Sequence, residues 1–375
     1  MNQSGLSRED LAAALAAFAI DGELREVRPH GTGHIHDSFV ATLAREGRAE
    51  AAPKRYLLQR LNQRVFADLD RVVENIAQVT AHVRRALAVR GENHDGRAVL
   101  QLVPARAGGF LWRNTAGDCF RTYDFIERSV ALERPQTPEQ AFEAARTFAQ
   151  FQRALGDYSG PPLFEVLPAF HNTPRRLADL VAAVDRDEHG RAALAKAEIC
   201  EALAEEALAS SLIRLRDAGD LPERITHNDT KLNNVLFDER TGRGLCVTDL
   251  DTVMPGLGLY DFGDLVRSAA TNAAEDEPDS SRIDVKIDIF QALARGWIAG
   301  AGTGFLRGER ERMVLAGRLL SYELGVRFLT DFLDGDRYFK TGHTGQNLAR
   351  CRSQFAMARS LARHEETLQR WIESI

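Results

Sequence analysis

The sequence predicts an α+β fold, a small strand-rich front portion followed by a larger helical remainder. Three observations carry that expectation. Short apolar runs bounded by Gly, Pro, Asn and Asp crowd the first third of the chain. Apolar residues at helical spacing dominate from about Pro138 onward. The change of character falls near Glu127-Arg128, so we expect an N-terminal lobe over residues 1–127 and a C-terminal lobe over residues 128–375. A chain of 375 residues has ample core for one large or two ordinary domains.

Each element follows from a local pattern. Leu6 to Phe18 is rich in Ala and Leu and reads as an opening helix, with Ser7 placed to cap it. Val27 to Ala41 reads as strand, glycine loop, strand, with Gly31-Thr32-Gly33 at the loop. Arg55 to Leu61 is a further apolar strand. Phe66 to Val89 repeats Val72, Val73, Ile76, Val79 and Val83 at helical spacing. Val99 to Val103 and Phe120 to Ile126 are expected strands on either side of the turn-rich Asn114 to Asp118. The helical remainder is interrupted near residues 157–175 and around the two motifs described below. Residues 272–282, made of Asn, Ala, acids, Pro and Ser, are expected to form a mobile loop. There is no internal repeat.

Composition narrows the class. Hydrophobic residues make up 44% and charged residues 27%, as in an ordinary soluble protein. A net charge of -6 argues against a general nucleic-acid or anionic-membrane partner. Leu11 to Ile20 is too short and too broken to cross a bilayer. Cys119, Cys200, Cys246 and Cys351 have no metal-ligand spacing, and are expected to be buried thiols in a reducing cytoplasm.

Chemistry concentrates in His227-Asn228-Asp229-Thr230-Lys231-Leu232-Asn233-Asn234. Asp229 is the expected base, a carboxylate that orients an acceptor hydroxyl and takes its proton. His227 is expected to hold the loop through backbone contacts. Lys231 offers a point charge to a γ-phosphate. Asn234 has a neutral carbonyl oxygen suited to Mg²⁺. Twenty residues past Asp229 comes the apolar run Leu245-Cys246-Val247-Thr248-Asp249-Leu250-Asp251. Asp249 is the expected principal metal carboxylate. Asp251, two residues on in an extended segment, shares its face and is expected to reach a second ion. A literal Asp-Phe-Gly stands at Asp261-Phe262-Gly263, directly before the helix-like Leu265 to Ala270. It lies too far on to be the metal ligand, so Asp261 is assigned to buttressing the Asp229 loop.

The front portion carries the complementary equipment. Gly31-Thr32-Gly33 lets backbone amides approach phosphate oxygens. Arg60 on the third strand is the expected cation for the α- and β-phosphates, with Glu74 on the next helix as its partner. Backbone groups of Phe125, Ile126 and Glu127 are expected to hold adenine.

The Asp229 loop places His, Asp, Lys and Asn as a protein-kinase catalytic loop does. In this order the motifs resemble the aminoglycoside phosphotransferase and choline kinase superfamily. Within it the chain is similar to the N-acetylhexosamine 1-kinases. The stretches that carry this are His227 to Asn234, Val247 to Gly256, Tyr260 to Asp264, Gln59 to Asn62, Glu74-Asn75-Ile76 and Arg327 to Lys340, spread over most of the chain. The first is shared by the whole superfamily and the last discriminates best. The resemblance implies a protein-kinase-like bilobal fold and transfer from ATP, with Mg²⁺, to the 1-hydroxyl of GlcNAc or GalNAc. It implies Asp229 as base, Asn234 and Asp249 as metal ligands, and Arg327 and Tyr338 as sugar contacts. Asp37, His36 and Phe170 to Arg175 are further candidates to face the sugar. The implied partners are ATP and an amino sugar, and the implied assembly is a monomer or small homo-oligomer.

Two other readings stay open at this point. One is a kinase of the same fold with another small acceptor, such as an amino alcohol, a thio-sugar or an aminoglycoside held by Glu275, Asp276, Glu277 and Asp279. The other is a nucleotide-binding pseudokinase, against which the intact Asp229, Asn234 and Asp249 argue.

Overall fold

A computed structural model describes residues 5–31, 35–44, 53–92 and 95–375. The fold is α+β, as expected, and comprises two compact units. One contains Met1–Ser129, Tyr158–Leu167 and Cys246–Val253; the other contains Val130–Asp157, Pro168–Leu245 and Met254–Ile375. The sequence suggests a single cut near Glu127, yet two later segments join the first unit. Asn75 is what ties them there. Its side-chain nitrogen donates to the carbonyls of Phe164 (2.8 Å) and Val253 (3.1 Å), and its oxygen accepts the Phe164 amide at 2.9 Å.

The first unit starts with α1 (Arg8–Ala16), capped reciprocally by Ser7 and Asp10. Strands β1 (Glu23–Pro29), β2 (Asp37–Ala44) and β3 (Lys54–Leu61) follow, then α2 (Leu69–Val89), β4 (Trp112–Arg113) and β5 (Cys119–Asp124). They form one antiparallel sheet in the order β1-β2-β3-β5-β4. Alternate residues Phe39, Ala41 and Leu43 of β2 enter the core with Leu11 and Leu15 of α1. The β4–β5 turn is the predicted Asn114 to Asp118, where Gly117 sits at φ 88°. Residues 99–103 are not a strand. Val99 bridges in parallel to Val247, whereas Leu102 bridges antiparallel to Tyr123, and Pro104 follows. A change of partner within so few residues leaves no room for a ladder.

In the second unit, β6 (Ser129–Ala131) leads to α3 (Pro138–Ala154) and α4 (Thr173–Arg186), then to α5 (Lys196–Ala204), α6 (Glu206–Ala209) and α7 (Ser211–Asp217). Short strands β7 (Glu223–Thr226), β8 (Val235–Asp238) and β10 (Met254–Leu257) flank the predicted motifs, as does β9 (Gly244–Val247), whose last two residues are counted in the first unit. β7 pairs with β10, and β6, β8 and β9 form a small sheet. The remaining helices are α8 (Gly258–Ala269), α9 (Ile287–Ala301), α10 (Arg307–Arg310), α11 (Met313–Leu333) and α12 (Gln346–Ser374). α3 packs closely on α9 because Gly296 lacks a side chain; a Cβ there would stand 2.2 Å from the Phe142 carbonyl oxygen. Residues 272–282, expected as a mobile loop, are tied by a Thr271–Val285 bridge and by Asn272 donating to the Arg282 carbonyl at 2.9 Å. Cys119, Cys246 and Cys351 are buried, but Cys200 is exposed on α5. Among the described residues, no helix is long and apolar enough to cross a membrane.

Candidate active site

The Asp229 loop leaves β7 through a backbone turn that few residues tolerate. Asn228 sits at φ 66°, in the left-handed region. Asn suits it because its side chain bonds locally: Oδ1 accepts the Thr226 hydroxyl at 2.9 Å. That requirement explains why either Gly or Asn fits the position. The His227 ring is buried with the edges of Phe148 and Phe151 around it, and its Nδ1 accepts the Asp229 amide at 3.2 Å. The contact of the His227 ring with the loop is thus to a backbone amide. Lys231 Nζ lies 2.9 Å from Asp229 Oδ1. Burial would raise the Asp229 carboxyl, but Lys231 and His227 hold it below the usual carboxylate range. Asp229 in turn raises Lys231. Asn234 Nδ2 donates to the Asp229 carbonyl at 2.8 Å, which leaves its side-chain oxygen outside that bond.

The literal Asp-Phe-Gly lies in α8, and each residue has a packing role. The Asp261 carboxylate accepts the amides of His227 (2.9 Å) and Asn228 (2.7 Å) and the Gln152 side chain (2.6 Å). Phe262 meets the rings of Phe290 and Trp297. Gly263 lets α8 approach α11, since a Cβ there would stand 2.4 Å from the Ala316 carbonyl oxygen. Asp261 therefore buttresses the Asp229 loop.

Asp249 lies two residues past the end of β9, at φ 56°, and is followed by the 3₁₀ turn Leu250–Thr252. The segment is not extended, so the expectation that Asp251 shares the face of Asp249 fails. Asp251 is buried instead, and both its oxygens are held at 2.6 Å by the guanidinium of Arg121. His36 Nε2 lies 3.4 Å away. Carboxylate oxygens in a bidentate pair with arginine are poor metal ligands, so Asp251 drops out of the candidate metal set. A candidate sugar contact, His36, is likewise committed: its Nδ1 accepts the Asn62 amide at 3.0 Å.

Gly31 sits at φ 74°, which favours glycine; Thr32 and Gly33 lie outside the described residues. The expected Arg60–Glu74 pair does not form. Arg60 faces Asp37 directly across the β2–β3 register, with Nε 2.9 Å from its carboxylate, and Asp118 lies 3.8 Å away. The shorter reach wins. Glu74 pairs with Arg71 one helical turn before it (2.9 Å). Asp37, a candidate sugar contact, is thus engaged by Arg60. At the expected adenine segment, the Phe125 amide donates to the Arg55 carbonyl at 3.2 Å, the Ile126 carbonyl accepts the Ser129 hydroxyl at 2.7 Å, and the Glu127 carboxylate pairs with Arg55.

Arg327 projects from α11 into aromatic rings. Its guanidinium carbon lies 4.8 Å from the centre of Phe170, 5.6 Å from Phe339 and 5.9 Å from Tyr338. Asp331, one turn further, organises the chain after the helix. Its carboxylate accepts three consecutive amides, Arg337, Tyr338 and Phe339, at 2.9, 2.7 and 2.9 Å. Tyr338 remains 62% exposed, which leaves its ring and hydroxyl open to a ligand.

Sequence reasoning missed two buried pairs in this unit. His171 bonds Glu323 at 2.7 Å and the Asn228 carbonyl at 3.1 Å. Arg267 pairs with Asp264 at 2.8 Å. A signal existed for the first: Glu323 is a lone acid in the apolar helical run Leu319 to Val326.

Comparison with known proteins places this geometry. A model of the phosphotransferase enzyme family matches residues 26–295. The fold is similar to that of an aminoglycoside phosphotransferase from Alicyclobacillus acidocaldarius (TM-score 0.60, 15% identity, covering 100% of this chain and 98% of that one). It is also similar to spectinomycin phosphotransferase APH(9)-Ia, solved with ADP and spectinomycin (TM-score 0.54, 11% identity, 96% and 99% coverage). A choline/ethanolamine kinase family protein from Mesorhizobium loti aligns with TM-score 0.50 and 16% identity over 96% of this chain and 99% of that one. These likenesses establish a kinase-like fold.

Proposed function

This chain belongs to the phosphotransferase enzyme family, and from that premise we propose that it is an ATP-dependent kinase of an N-acetylhexosamine. The product is the 1-phosphate of GlcNAc or GalNAc. The observation that supports this best is Arg327 held among Phe170, Tyr338 and Phe339, in the unit that carries Asp229. A guanidinium donates to ring hydroxyls or an acetamide carbonyl, and flanking aromatic faces suit the C–H face of a sugar.

In the proposed reaction Asp229 orients the anomeric hydroxyl and accepts its proton. The hydroxyl oxygen bonds to the γ-phosphorus, the bond from that phosphorus to the β–γ bridging oxygen breaks, and ADP leaves. Lys231 shifts from Asp229 to the charge on the transferring group. Gly31 and the segment Phe125, Ile126 and Glu127 are the proposed nucleotide contacts in the first unit.

Mg²⁺ fits the donors present. Each donor suits Mg²⁺ by its own chemistry: Asn234 has its nitrogen committed to the loop, outside which its amide oxygen remains, and Asp249 is a carboxylate. Among the described residues, no group of three or more His, Cys, Asp or Glu is arranged around a metal. Mg²⁺ does not require one, because it is usually held by one or two carboxylates with substrate phosphates. When bound with ATP, the ion neutralises the donor phosphates.

The acids that suggested a polycationic acceptor are already engaged. Glu275 lies 3.4 Å from Arg350, Asp276 accepts from Gln346 at 2.7 Å, and Asp279 caps Ser281 at 3.1 Å. The test is ADP release with GlcNAc, GalNAc, plain hexoses, choline and kanamycin side by side. Turnover with the two amino sugars and not with the others is the expected result. Turnover with choline or kanamycin instead overturns the sugar assignment and leaves the phosphotransferase in place.

A further inference from the structure

The imidazole of His171 stands between two groups that only accept hydrogen bonds. Nδ1 lies 2.7 Å from Glu323 Oε1, and Nε2 lies 3.1 Å from the carbonyl oxygen of Asn228. The other Glu323 oxygen accepts the Thr173 hydroxyl at 2.6 Å. All these side chains are buried. A neutral imidazole has a single N–H and satisfies one of its two partners, so both bonds together need a proton on each ring nitrogen.

The position of this ring matters for chemistry. Asn228 adjoins Asp229 and is held at φ 66°. Glu323 lies one helical turn before Arg327 on α11. Phe170, whose ring packs on His171 at 4.7 Å, also lies 4.8 Å from the Arg327 guanidinium. A continuous set of contacts therefore runs from Arg327 to the peptide that carries Asp229.

We propose that His171 is a positioning residue for phosphoryl transfer, an imidazolium clamped between Glu323 and the Asn228 carbonyl that locks the Asp229 loop to α11. This rests on reading Asp229 as the base and Arg327 as an acceptor contact. The charges facing the ring are Glu323 and Arg327 from α11 and Asp264 from α8, with the Tyr260 ring 5.1 Å away; Arg176 from α4 faces Glu323 and Arg327 rather than the ring. Burial pushes His171 down, but Glu323 more than offsets it and leaves the ring above the usual histidine range. The clamp is complete below that raised value, and it loses one bond as pH rises through it.

Two measurements on the full chain test this. Long-range ¹H–¹⁵N spectra of ¹⁵N-histidine protein, with His171→Gln to assign the ring, should show both nitrogens protonated at neutral pH; a neutral tautomer overturns the proposal. Kinetics with MgATP and GlcNAc should show His171→Gln and Glu323→Gln lowering kcat by about a hundredfold, a loss typical of a misplaced catalytic group. KM for MgATP should stay within about twofold, and His171→Gln should lack the alkaline limb of the wild-type pH profile. Unchanged kcat in variants with wild-type denaturation midpoints also overturns it. If neither variant folds, the wild-type ring spectrum decides, assigned through its contact with Tyr260. If the wild type phosphorylates no sugar, the functional reading fails separately, and the spectrum still decides the clamp.

Discussion

Lys231 grips both oxygens of Asp229, with Nζ 2.9 Å from Oδ1 and 3.2 Å from Oδ2. The cation helps keep a half-buried carboxyl ionised, below the usual carboxylate range. Lys231→Met should shift the acid limb of the kcat profile to higher pH, because burial alone raises Asp229. It should also lower kcat by about tenfold or more, since a charge on the transferring phosphoryl group is lost. Asp229→Asn should abolish ADP release while nucleotide still binds by calorimetry. An acid limb unmoved in Lys231→Met removes the ion pair from the account.

The proposed function gives Asp249 a metal-binding role and Asp261 a supporting one. Asp261→Ala strands the amides of His227 and Asn228 and the Gln152 side chain in the interior. Denaturant unfolding should show a loss of about 2–5 kcal/mol, on the scale of several unpaired buried groups. Asp249→Ala should abolish MgATP turnover in protein that still folds. The opposite pattern makes Asp261 the metal ligand.

The Asp229 loop was legible as a local cluster because His227, Asp229, Lys231 and Asn234 fall within eight consecutive residues, where sequence spacing nearly fixes spatial spacing. The strands and long helices were legible from periodicity. Arg60 and Glu74 were not, because a long flexible side chain pairs with whichever acid the strand register puts opposite it, and that was Asp37. Asp251 was misjudged for a backbone reason: the face-sharing rule holds for strands, and Asp249 turns left-handed just before it. His171 and Glu323 lie 152 positions apart. No local pattern links them; only the packing of α11 beside the loop does.

Arg121 and Asp251 form a buried pair that also holds Gln59, whose oxygen accepts from Arg121 Nε at 2.9 Å. Arg121→Met leaves an uncompensated carboxylate, at a cost of about 3–5 kcal/mol. Burial raises Asp251, but Arg121 and His36 reverse this and hold it far below the usual range. In the wild type the pair's contribution is present above the unfolded value of about 4 and is lost as pH falls towards the lower folded value. The variant gains relief when Asp251 protonates. The stability gap between the two should therefore narrow in acid, and urea titrations at neutral and mildly acid pH check the sign.

Arg327 offers the sharpest test of the acceptor. Its guanidinium is flanked by rings rather than by a carboxylate in direct contact, so its donors are available to a neutral, hydroxyl-rich ligand. Arg327→Ala should raise KM for GlcNAc by about ten- to a hundredfold, the worth of a charged hydrogen bond, and leave KM for MgATP within about twofold. Tyr338→Phe removes only a hydroxyl and should cost less than Tyr338→Ala. Asp331→Ala reaches the same site indirectly, because it releases the three amides that hold Tyr338 and Phe339 in place. It should weaken GlcNAc binding without touching Arg327 itself. An Arg327→Ala enzyme with unchanged KM for every sugar in the panel moves the acceptor site elsewhere in the second unit.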